Sequence, residues 1–179
     1  MVSPAEIVAF WKDAGAKKWF ARNDGFDAEF RRRFEQAHFA AARGEYEAWM
    51  DSAEGALALL ILLDQLPRNC FRGSAHSYAT DGLARRYARL ALEAQFDLRI
   101  EAQLRMFFYL PFEHSETMPD QDYAMDLFGK IGDGELMKYA VLHRDLIARF
   151  GRFPHRNAAL GRESTREELD YLASGGFSG

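Results

Sequence analysis

Basic side chains are concentrated in residues 149–162, a segment whose glycines and proline predict a loop. Its polar members are Arg149, Arg152, His155, Arg156, Asn157 and Arg162. A guanidinium group presents a fixed fork of donors that matches a carboxylate or a phosphate, and an imidazole can donate, accept or bind a metal. Gly151 is suited to end the preceding helix in a left-handed turn, and Pro154 prevents that helix from resuming. The segment is therefore predicted to be an ordered loop.

Two interpretations of these donors remain open. In the first, the arginines bind carboxylates of other helices and exposed carbonyl groups at helix ends, so that the loop fixes how helices meet. In the second, the loop forms an anion site for a carboxylate, a phosphate or the acidic end of a peptide. The residue types fit both interpretations.

A carboxylate lies at an unusual place after the apolar segment 55–63. Asp64 and Gln65 fall in the last turn of the predicted helix, where the macrodipole disfavours a negative charge, and Pro67 is expected to prevent further helix. Asp64 therefore requires a cation. The available partners are Arg68 and Arg72 nearby and the 149–162 loop at a distance, with Asn69 available for capping. A structural ion pair and a catalytic role are both consistent with this pattern.

A third group of polar residues is the sequence Glu113-His114-Ser115-Glu116. Its carboxylates and imidazole could be joined by His143 and His155 in a metal site. The spacing does not fit a zinc-protease helix, which needs two histidines four residues apart with a glutamate beside the first. We expect instead that Glu113 and Glu116 supply carboxylates to Arg152 or Arg156 and that His114 bonds a backbone group. The sequence thus predicts no metal site and no cofactor.

Composition limits the class of protein. The 179 residues are 48% hydrophobic and 28% charged, which predicts one globular domain over residues 1–179, with residues 1–2 and 174–179 frayed. A formal net charge of −4 argues against a general nucleic-acid or anionic-membrane binder. The single Cys70 excludes an intrachain disulfide, and no secretory signal follows Met1. These features predict a cytoplasmic protein that does not enter membranes.

Apolar residues recur at helical spacing along the chain, and no stretch shows the strict alternation of a strand. Ser3 and Glu6 predict a capping box, as do Ser164 and Glu167. The principal predicted helices cover residues 4–15, 26–43, 52–66, 80–94, 97–110, 119–129 and 135–150. The expected fold is all-α, built from antiparallel helix pairs that are stacked in series.

Three motifs in this order resemble a known family. They are Ile61-Leu62-Leu63-Asp64-Gln65-Leu66-Pro67-Arg68-Asn69, Leu110-Pro111-Phe112-Glu113-His114-Ser115-Glu116, and Phe150-Gly151-Arg152-Phe153-Pro154-His155-Arg156-Asn157 with Leu160-Gly161-Arg162. The combination resembles the bacterial family called domain of unknown function 924 over nearly the whole chain. The resemblance implies a right-handed superhelical array similar to tetratricopeptide repeats, without their usual consensus. It implies no activity, so no catalytic residue is assigned from it.

Two functions are consistent with these residues. The first is a binding module for a peptide or a small acidic or anionic ligand. The second is a small hydrolase-like enzyme in which His114 or His155 is the general base, Glu113 or Asp64 orients it, and arginines hold an oxyanion. The candidate ligand-binding residues are Asp64, Gln65, Arg68, Asn69, Glu113, His114, Glu116, His143, Arg149, Arg152, His155, Arg156, Asn157 and Arg162. The sequence leaves the oligomeric state open.

Overall fold

The computed structural model describes residues 2–178 and shows an all-helical protein, which confirms the predicted fold class. Within that range there is no β-strand. The chain forms two compact units: unit 1 runs to Arg72 and includes His76–Pro111, and unit 2 consists of Gly73–Ala75 and the residues from Phe112 onward. The single-domain organisation and the tetratricopeptide-like superhelix stay predictions. Of the residues expected to fray, Met1 and Gly179 lie outside the described range.

The α-helices are numbered in chain order. They are α1 (Pro4–Ala14), α2 (Ala16–Trp19), α3 (Asp24–Ala42), α4 (Ala53–Leu60), α5 (Leu66–Cys70), α6 (Asp81–Glu93), α7 (Leu110–Glu113), α8 (Met118–Ile131), α9 (Gly134–Phe150) and α10 (Arg166–Ala173). Shorter 3₁₀ turns cover Glu47–Asp51, Ala75–Tyr78, Phe96–Arg99, Ala102–Phe108 and Pro154–Arg156, and a π-helical turn covers Ile61–Gln65. Among the described residues, no helix combines the length and the apolarity needed to cross a bilayer.

Local capping signals set several helix ends in both units. Ser3 and Glu6 form the predicted capping box at the start of α1. The second capping box is made by Thr165 and Glu168 rather than by Ser164 and Glu167, so α10 begins one residue later than predicted. Thr165 prevails because Glu168 is buried and also accepts a hydrogen bond from Arg152, which fixes it as the reciprocal partner.

The apolar segment in unit 1 continues as a helix past Pro67, contrary to the prediction that this proline would end it. A π-helical turn joins α4 to α5, and the Leu66 N–H donates to the Ile61 carbonyl instead of to that of Leu62. Such a turn adds one residue to the helical repeat and leaves carbonyl groups without backbone donors. Side chains of unit 1 supply those donors, as described below.

The predicted helix over residues 97–110 is also wrong. Residues Phe96–Arg99 and Ala102–Phe108 form two 3₁₀ turns instead. Asp97 does not cap a helix: its buried carboxylate accepts from the Tyr109 hydroxyl at 2.7 Å, and its carbonyl accepts from Arg105 Nε at 3.1 Å. Through these two bonds Arg105 and Tyr109 tie the second turn to the first.

In unit 2, α8 and α9 are joined by a tight turn. Gly132 ends α8 in the left-handed conformation at φ 75°, and Asp133 caps α9 by accepting from the Glu135 and Leu136 N–H groups. Gly151 then ends α9 with φ 69°, as predicted. The left-handed turn at Gly151 directs the chain into the rest of the 149–162 loop.

Candidate functional site

Glu116 and Arg162 form a two-pronged ion pair in unit 2. Arg162 Nη1 donates to Oε2 of Glu116 at 2.7 Å, and Nη2 donates to Oε1 at 2.9 Å. The same carboxylate accepts from the Phe153 N–H at 2.8 Å. Burial would raise the pKa of Glu116, but the bonds from Arg162 and Phe153 outweigh it and leave the pKa below its ordinary value. The pair therefore fastens the 149–162 loop to the segment after α7.

Arg152 makes a similar fork with Glu168 of α10. Its Nε donates to Oε1 at 2.6 Å and its Nη2 donates to Oε2 at 2.8 Å. Glu168 is 2% exposed and also accepts from the Thr165 N–H and from Asn157 Nδ2. The hydrogen bonds from Arg152 are the main cause that lowers the pKa of Glu168 to about 2.

The remaining loop residues divide between surface and interior. Arg149 pairs with Glu167 at 2.9 Å, and both side chains are more than half exposed. Asn157 is buried, and its Oδ1 accepts from Arg162 Nε at 2.9 Å. Arg149, Arg152 and Arg162 thus all bind carboxylates of unit 2, as the first interpretation of the loop expected. The prediction that Glu116 would supply its carboxylate to Arg152 or Arg156 is wrong in its partner: the fork on Glu116 comes from Arg162, and Arg152 pairs with Glu168.

Three imidazoles and a guanidinium form a second group, which we call the histidine–arginine cluster: His114, His143, His155 and Arg156. His143 points inward from α9 as predicted, is 6% exposed, and donates Nδ1–H to the Tyr139 carbonyl at 2.8 Å. Its Nδ1 lies 3.4 Å from Oε1 of the buried Glu113. The ring centroid of His114 is 6.3 Å from that of His143.

Arg156 brings the positive charge of this cluster into the interior. It is 5% exposed, and its guanidinium lies 4.4 Å from the centre of the fully buried Phe153 ring. The same ring contacts His143 and His155, with centroids 5.4 and 5.6 Å away. Since His114 and His155 are only half-buried, the cluster has a side that solvent can reach.

The electrostatic effect of this arrangement is visible at His143. Burial is the largest cause that lowers the pKa of His143 to about 3, and the charges of His114, Arg156 and His155 lower it further. His143 is therefore neutral at physiological pH. Because Nδ1 carries the proton donated to Tyr139, Nε2 is left as an acceptor.

The Asp64 motif in unit 1 stabilises the π-helical turn. Pro67 has no N–H to offer the carbonyls four and five residues before it. Side chains replace it: the Leu62 carbonyl accepts from His38 Nδ1 at 2.9 Å, and the Leu63 carbonyl accepts from Thr80 Oγ1 at 2.5 Å. Both donors are side chains distant in sequence, so the local sequence does not show which residues replace the missing N–H.

Arg68 is a cation partner of Asp64. Its Nη1 lies 3.0 Å from Asp64 Oδ1, and it donates to the Asp64 carbonyl at 2.8 Å. Two further bonds of 2.9 Å reach the carboxylate of Asp81. Burial would lower the pKa of Arg68, but the two aspartates outweigh it and raise the pKa. Of the two nearby arginines considered from sequence, Arg68 pairs with Asp64.

The other members of this motif also have partners in unit 1. Gln65 Nε2 donates to Asp64 Oδ2 at 2.5 Å. Asn69 Nδ2 donates to Asp27 Oδ1 at 2.9 Å, and Arg72 pairs with the same aspartate. The geometry of Asp64, Gln65, Arg68 and Asn69 is that of a structural network.

Sequence reasoning missed two contacts that involve histidine or its neighbours. His38, interpreted as a semi-buried packing residue, is fully buried, and its Nε2 lies 2.8 Å from Nε2 of His76. Phe177, placed in a frayed tail, lies against His143 with ring centroids 4.8 Å apart. Pro67 was a signal for a helix irregularity near His38, whereas nothing local indicates where Phe177 packs.

In the part of the chain that is described, no cluster of three or more His, Cys, Asp or Glu side chains is placed to hold a metal ion.

Comparison with known proteins gives consistent results. Residues 7–176 match the family model described as bacterial protein of unknown function, DUF924, which confirms the resemblance carried by the three motifs. A solved structure of the protein of unknown function ATU0120 from Agrobacterium tumefaciens is 52% identical, with a TM-score of 0.93 over 96% of this chain and 97% of that chain. No curated protein matches the chain.

Proposed function

The chain belongs to the bacterial DUF924 family of proteins of unknown function, and from this premise we propose that it binds a small anionic ligand or the acidic end of a peptide at the histidine–arginine cluster. One observation carries the proposal: a buried guanidinium, Arg156, lies within one unit beside three imidazoles, two of which are half-buried. Groups of this kind recognise a carboxylate or phosphate through charge-assisted hydrogen bonds.

Two other arginines of the loop have structural partners: Arg152 and Arg162 each form a fork with a carboxylate of unit 2. Arg149 is exposed, and an exposed ion pair contributes little binding energy. The proposed anion contacts are Arg156, His155 and His114, because the guanidinium is buried and the two imidazoles are half-buried; an incoming anion would compete with the partners that these side chains already have. Arg152, Arg162 and Asn157 are proposed to hold the loop in place.

Burial is the main cause that keeps His143 unprotonated; its Nδ1 lies 3.4 Å from the buried Glu113 carboxylate, and neighbouring basic groups oppose its protonation further. The neighbours His114, Arg156 and His155 all lower the pKa of His143. A bound carboxylate would offset those charges and raise the pKa of His143 from about 3.

The alternative of a hydrolase-like enzyme draws less support from the geometry. His143 lies near the buried carboxylate of Glu113, but its Nδ1 bonds Tyr139 at 2.8 Å and is 3.4 Å from Glu113. A general base works best when its pKa is near the operating pH. With a pKa of about 3, protonating His143 at pH 7 would cost about 5 kcal/mol. His143 is therefore a poor general base at neutral pH, and the enzyme alternative rests on His114 or His155.

A reducing, cytoplasmic location is part of the proposal. Cys70 is half-buried, and burial raises the pKa of its thiol to about 12, so the thiol stays protonated and unreactive. The net charge of −4 argues against nucleic acid as the partner. A peptide or small anionic ligand is the partner class that remains.

The proposal is tested by calorimetric titration of propionate, a minimal carboxylate, into the full chain at pH 6.5. The variant His155→Gln removes a half-buried imidazole of the cluster, and Arg149→Gln is the matched control because it removes an exposed pair elsewhere on the loop. We expect His155→Gln to weaken binding by about tenfold, or about 1.4 kcal/mol, and Arg149→Gln to leave it unchanged. Equal losses in both variants, or no heat in the unmodified protein, would reject the proposal.

A further inference from the structure

Two histidines of unit 1 meet through their ring nitrogens. Nε2 of His38, on α3, lies 2.8 Å from Nε2 of His76, in the 3₁₀ turn Ala75–Tyr78. His38 is fully buried, whereas His76 is half-buried. A separation of 2.8 Å is that of a hydrogen bond, so one nitrogen carries a proton and the other accepts it. This pair takes no part in the proposed anion binding.

The Leu62 carbonyl decides which nitrogen carries the proton. His38 Nδ1 lies 2.9 Å from that carbonyl oxygen, which can only accept, so Nδ1 carries a proton. Burial is the main cause that lowers the pKa of His38, which keeps this ring neutral at neutral pH and leaves its Nε2 as an acceptor. The proton between the two rings is therefore on Nε2 of His76. The space between the two nitrogens holds one proton and not two.

Charged groups on the elements packed around the pair are matched among themselves. The ion pairs are Arg31 with Glu35, Arg72 with Asp27, and Arg68 with Asp64 and Asp81, and Arg68 also lies over the Tyr78 ring. Burial raises the pKa of the Cys70 thiol to about 12, so that group stays neutral. Besides burial and the Leu62 carbonyl, the groups that act on the pKa of His38 are His76, which lowers it, and Glu35, which raises it.

His76 covers two phenylalanine rings and can move outward. Its ring centroid is 4.2 Å from that of Phe71 and 5.4 Å from that of Phe39. The residues that lead to it, 72–75, are all exposed. The turn is also attached by the Ser77 hydroxyl, which donates to the Phe71 carbonyl. His38, by contrast, is fixed inside α3, so a break between the two rings moves His76.

We infer that His38 and His76 form an acid-operated latch, which holds the turn Ala75–Tyr78 closed while one proton lies between the rings and releases it when both Nε2 atoms are protonated. Two N–H groups aimed at each other repel, and two imidazolium charges at this distance repel further. The second proton comes from solvent. His76 then turns outward, water reaches Nε2 of His38, and the rings of Phe39 and Phe71 are uncovered.

The direction of the pH response follows from the proton count. The open form holds at least one proton more than the closed form, so acid favours opening. Burial keeps the pKa of His38 in the closed form below its ordinary value of 6.5. In a window below pH 6.5 the closed form therefore leaves His38 neutral while the open form protonates it. Within that window the open fraction should grow at least about tenfold for each pH unit.

The position of the shared proton is tested first, in the ¹⁵N-labelled full chain at pH 7. We expect a scalar coupling between the Nε2 nuclei of His38 and His76, with the proton on His76 and with Nδ1 of His38 protonated. Absence of this coupling, or a proton on Nε2 of His38, would overturn the inference.

The release of the turn is tested by hydrogen exchange of the Ala79 N–H, which donates to the His76 carbonyl at 3.3 Å. Exchange is followed between pH 5.5 and 4.5 and is corrected for the intrinsic rate. In the unmodified protein the opening constant should rise at least about tenfold per pH unit. In His76→Gln the side-chain amide can donate to neutral His38 or accept from protonated His38, so the rise should be less than about twofold.

Two comparisons separate the latch from general acid unfolding. The matched control His155→Gln changes a histidine of unit 2 and should keep the tenfold rise at Ala79. The Ala56 N–H, which donates to the Ser52 carbonyl at 2.9 Å at the start of α4, should not follow that rise. Equal pH dependence in the unmodified protein and His76→Gln, or the same rise at Ala56 as at Ala79, would reject the latch.

Discussion

Acidification is predicted to destabilise the protein through His143. In the folded chain burial is the main cause that lowers its pKa from 6.5 to about 3, so the unfolded chain binds a proton more tightly. Stability from this residue is therefore present above pH 6.5 and is lost as the pH falls toward 3. The sign is that of a buried neutral base, which must be charged on unfolding in acid.

The size of the effect follows from the two pKa values. Between pH 7 and pH 5 the unfolded chain takes up a proton at this residue, and the free energy of unfolding falls by about 2 kcal/mol. The full loss, reached below pH 3, is about 5 kcal/mol. The pKa values of Glu116 and Glu168 are lowered from 4.5 in the folded chain. Protonation of these carboxylates therefore reduces the free energy of unfolding mainly below pH 5. The window therefore reports chiefly on histidines.

Urea unfolding at pH 7 and pH 5 measures this loss in the unmodified protein and in His143→Gln. Burial also lowers the pKa of His38, but that residue titrates in both proteins and cancels in the comparison. The unmodified protein should lose about 2 kcal/mol more than the variant between the two pH values. Equal losses would mean that His143 is not a buried neutral base, and the account of the cluster would be wrong.

Three further predictions concern single contacts, each read as a change in the free energy of unfolding. Glu116→Gln removes the charge opposite Arg162 and should cost about 1.5–3 kcal/mol. The exposed control Glu167→Gln should cost less than about 1 kcal/mol, and equal costs would refute a structural role for the fork. Thr80→Val leaves the Leu63 carbonyl without its hydroxyl donor and should cost about 1–3 kcal/mol; a neutral result would mean that the π-helical turn does not need it. Gly55→Ala should cost more than about 2 kcal/mol because its Cβ would lie 2.1 Å from the Trp49 carbonyl, whereas Gly82→Ala, where nothing lies within 4 Å, should stabilise by about 0.5–1 kcal/mol.

Features set by neighbouring residues could be predicted from the sequence. The capping box of Ser3 and Glu6 and the glycine end of α9 are properties of a few consecutive residues, and both occur as expected. The inward direction of His143 follows from helical spacing and is also correct. Local chemistry therefore determined the class of fold and most helix ends.

Features set by distant residues could not be predicted. Pro67 was expected to stop a helix, yet His38 and Thr80 supply the missing donors from elsewhere in unit 1. The same holds for the helix expected after Asp97, whose carboxylate bonds Tyr109 instead. The loop arginines were expected to meet carboxylates, but which carboxylate meets which arginine depends on packing that no spacing encodes.

The imidazole nitrogen spectrum of ¹⁵N-labelled protein, recorded with and without propionate, tests the central claim most directly. The chain has five histidines, and His38 and His76 lie in unit 1 as internal controls. Anion binding at the cluster predicts that the resonances of His114, His143 and His155 shift with a common saturation curve while those of His38 and His76 stay in place. No shift in the three, or similar shifts in all five, would contradict an anion site at the histidine–arginine cluster.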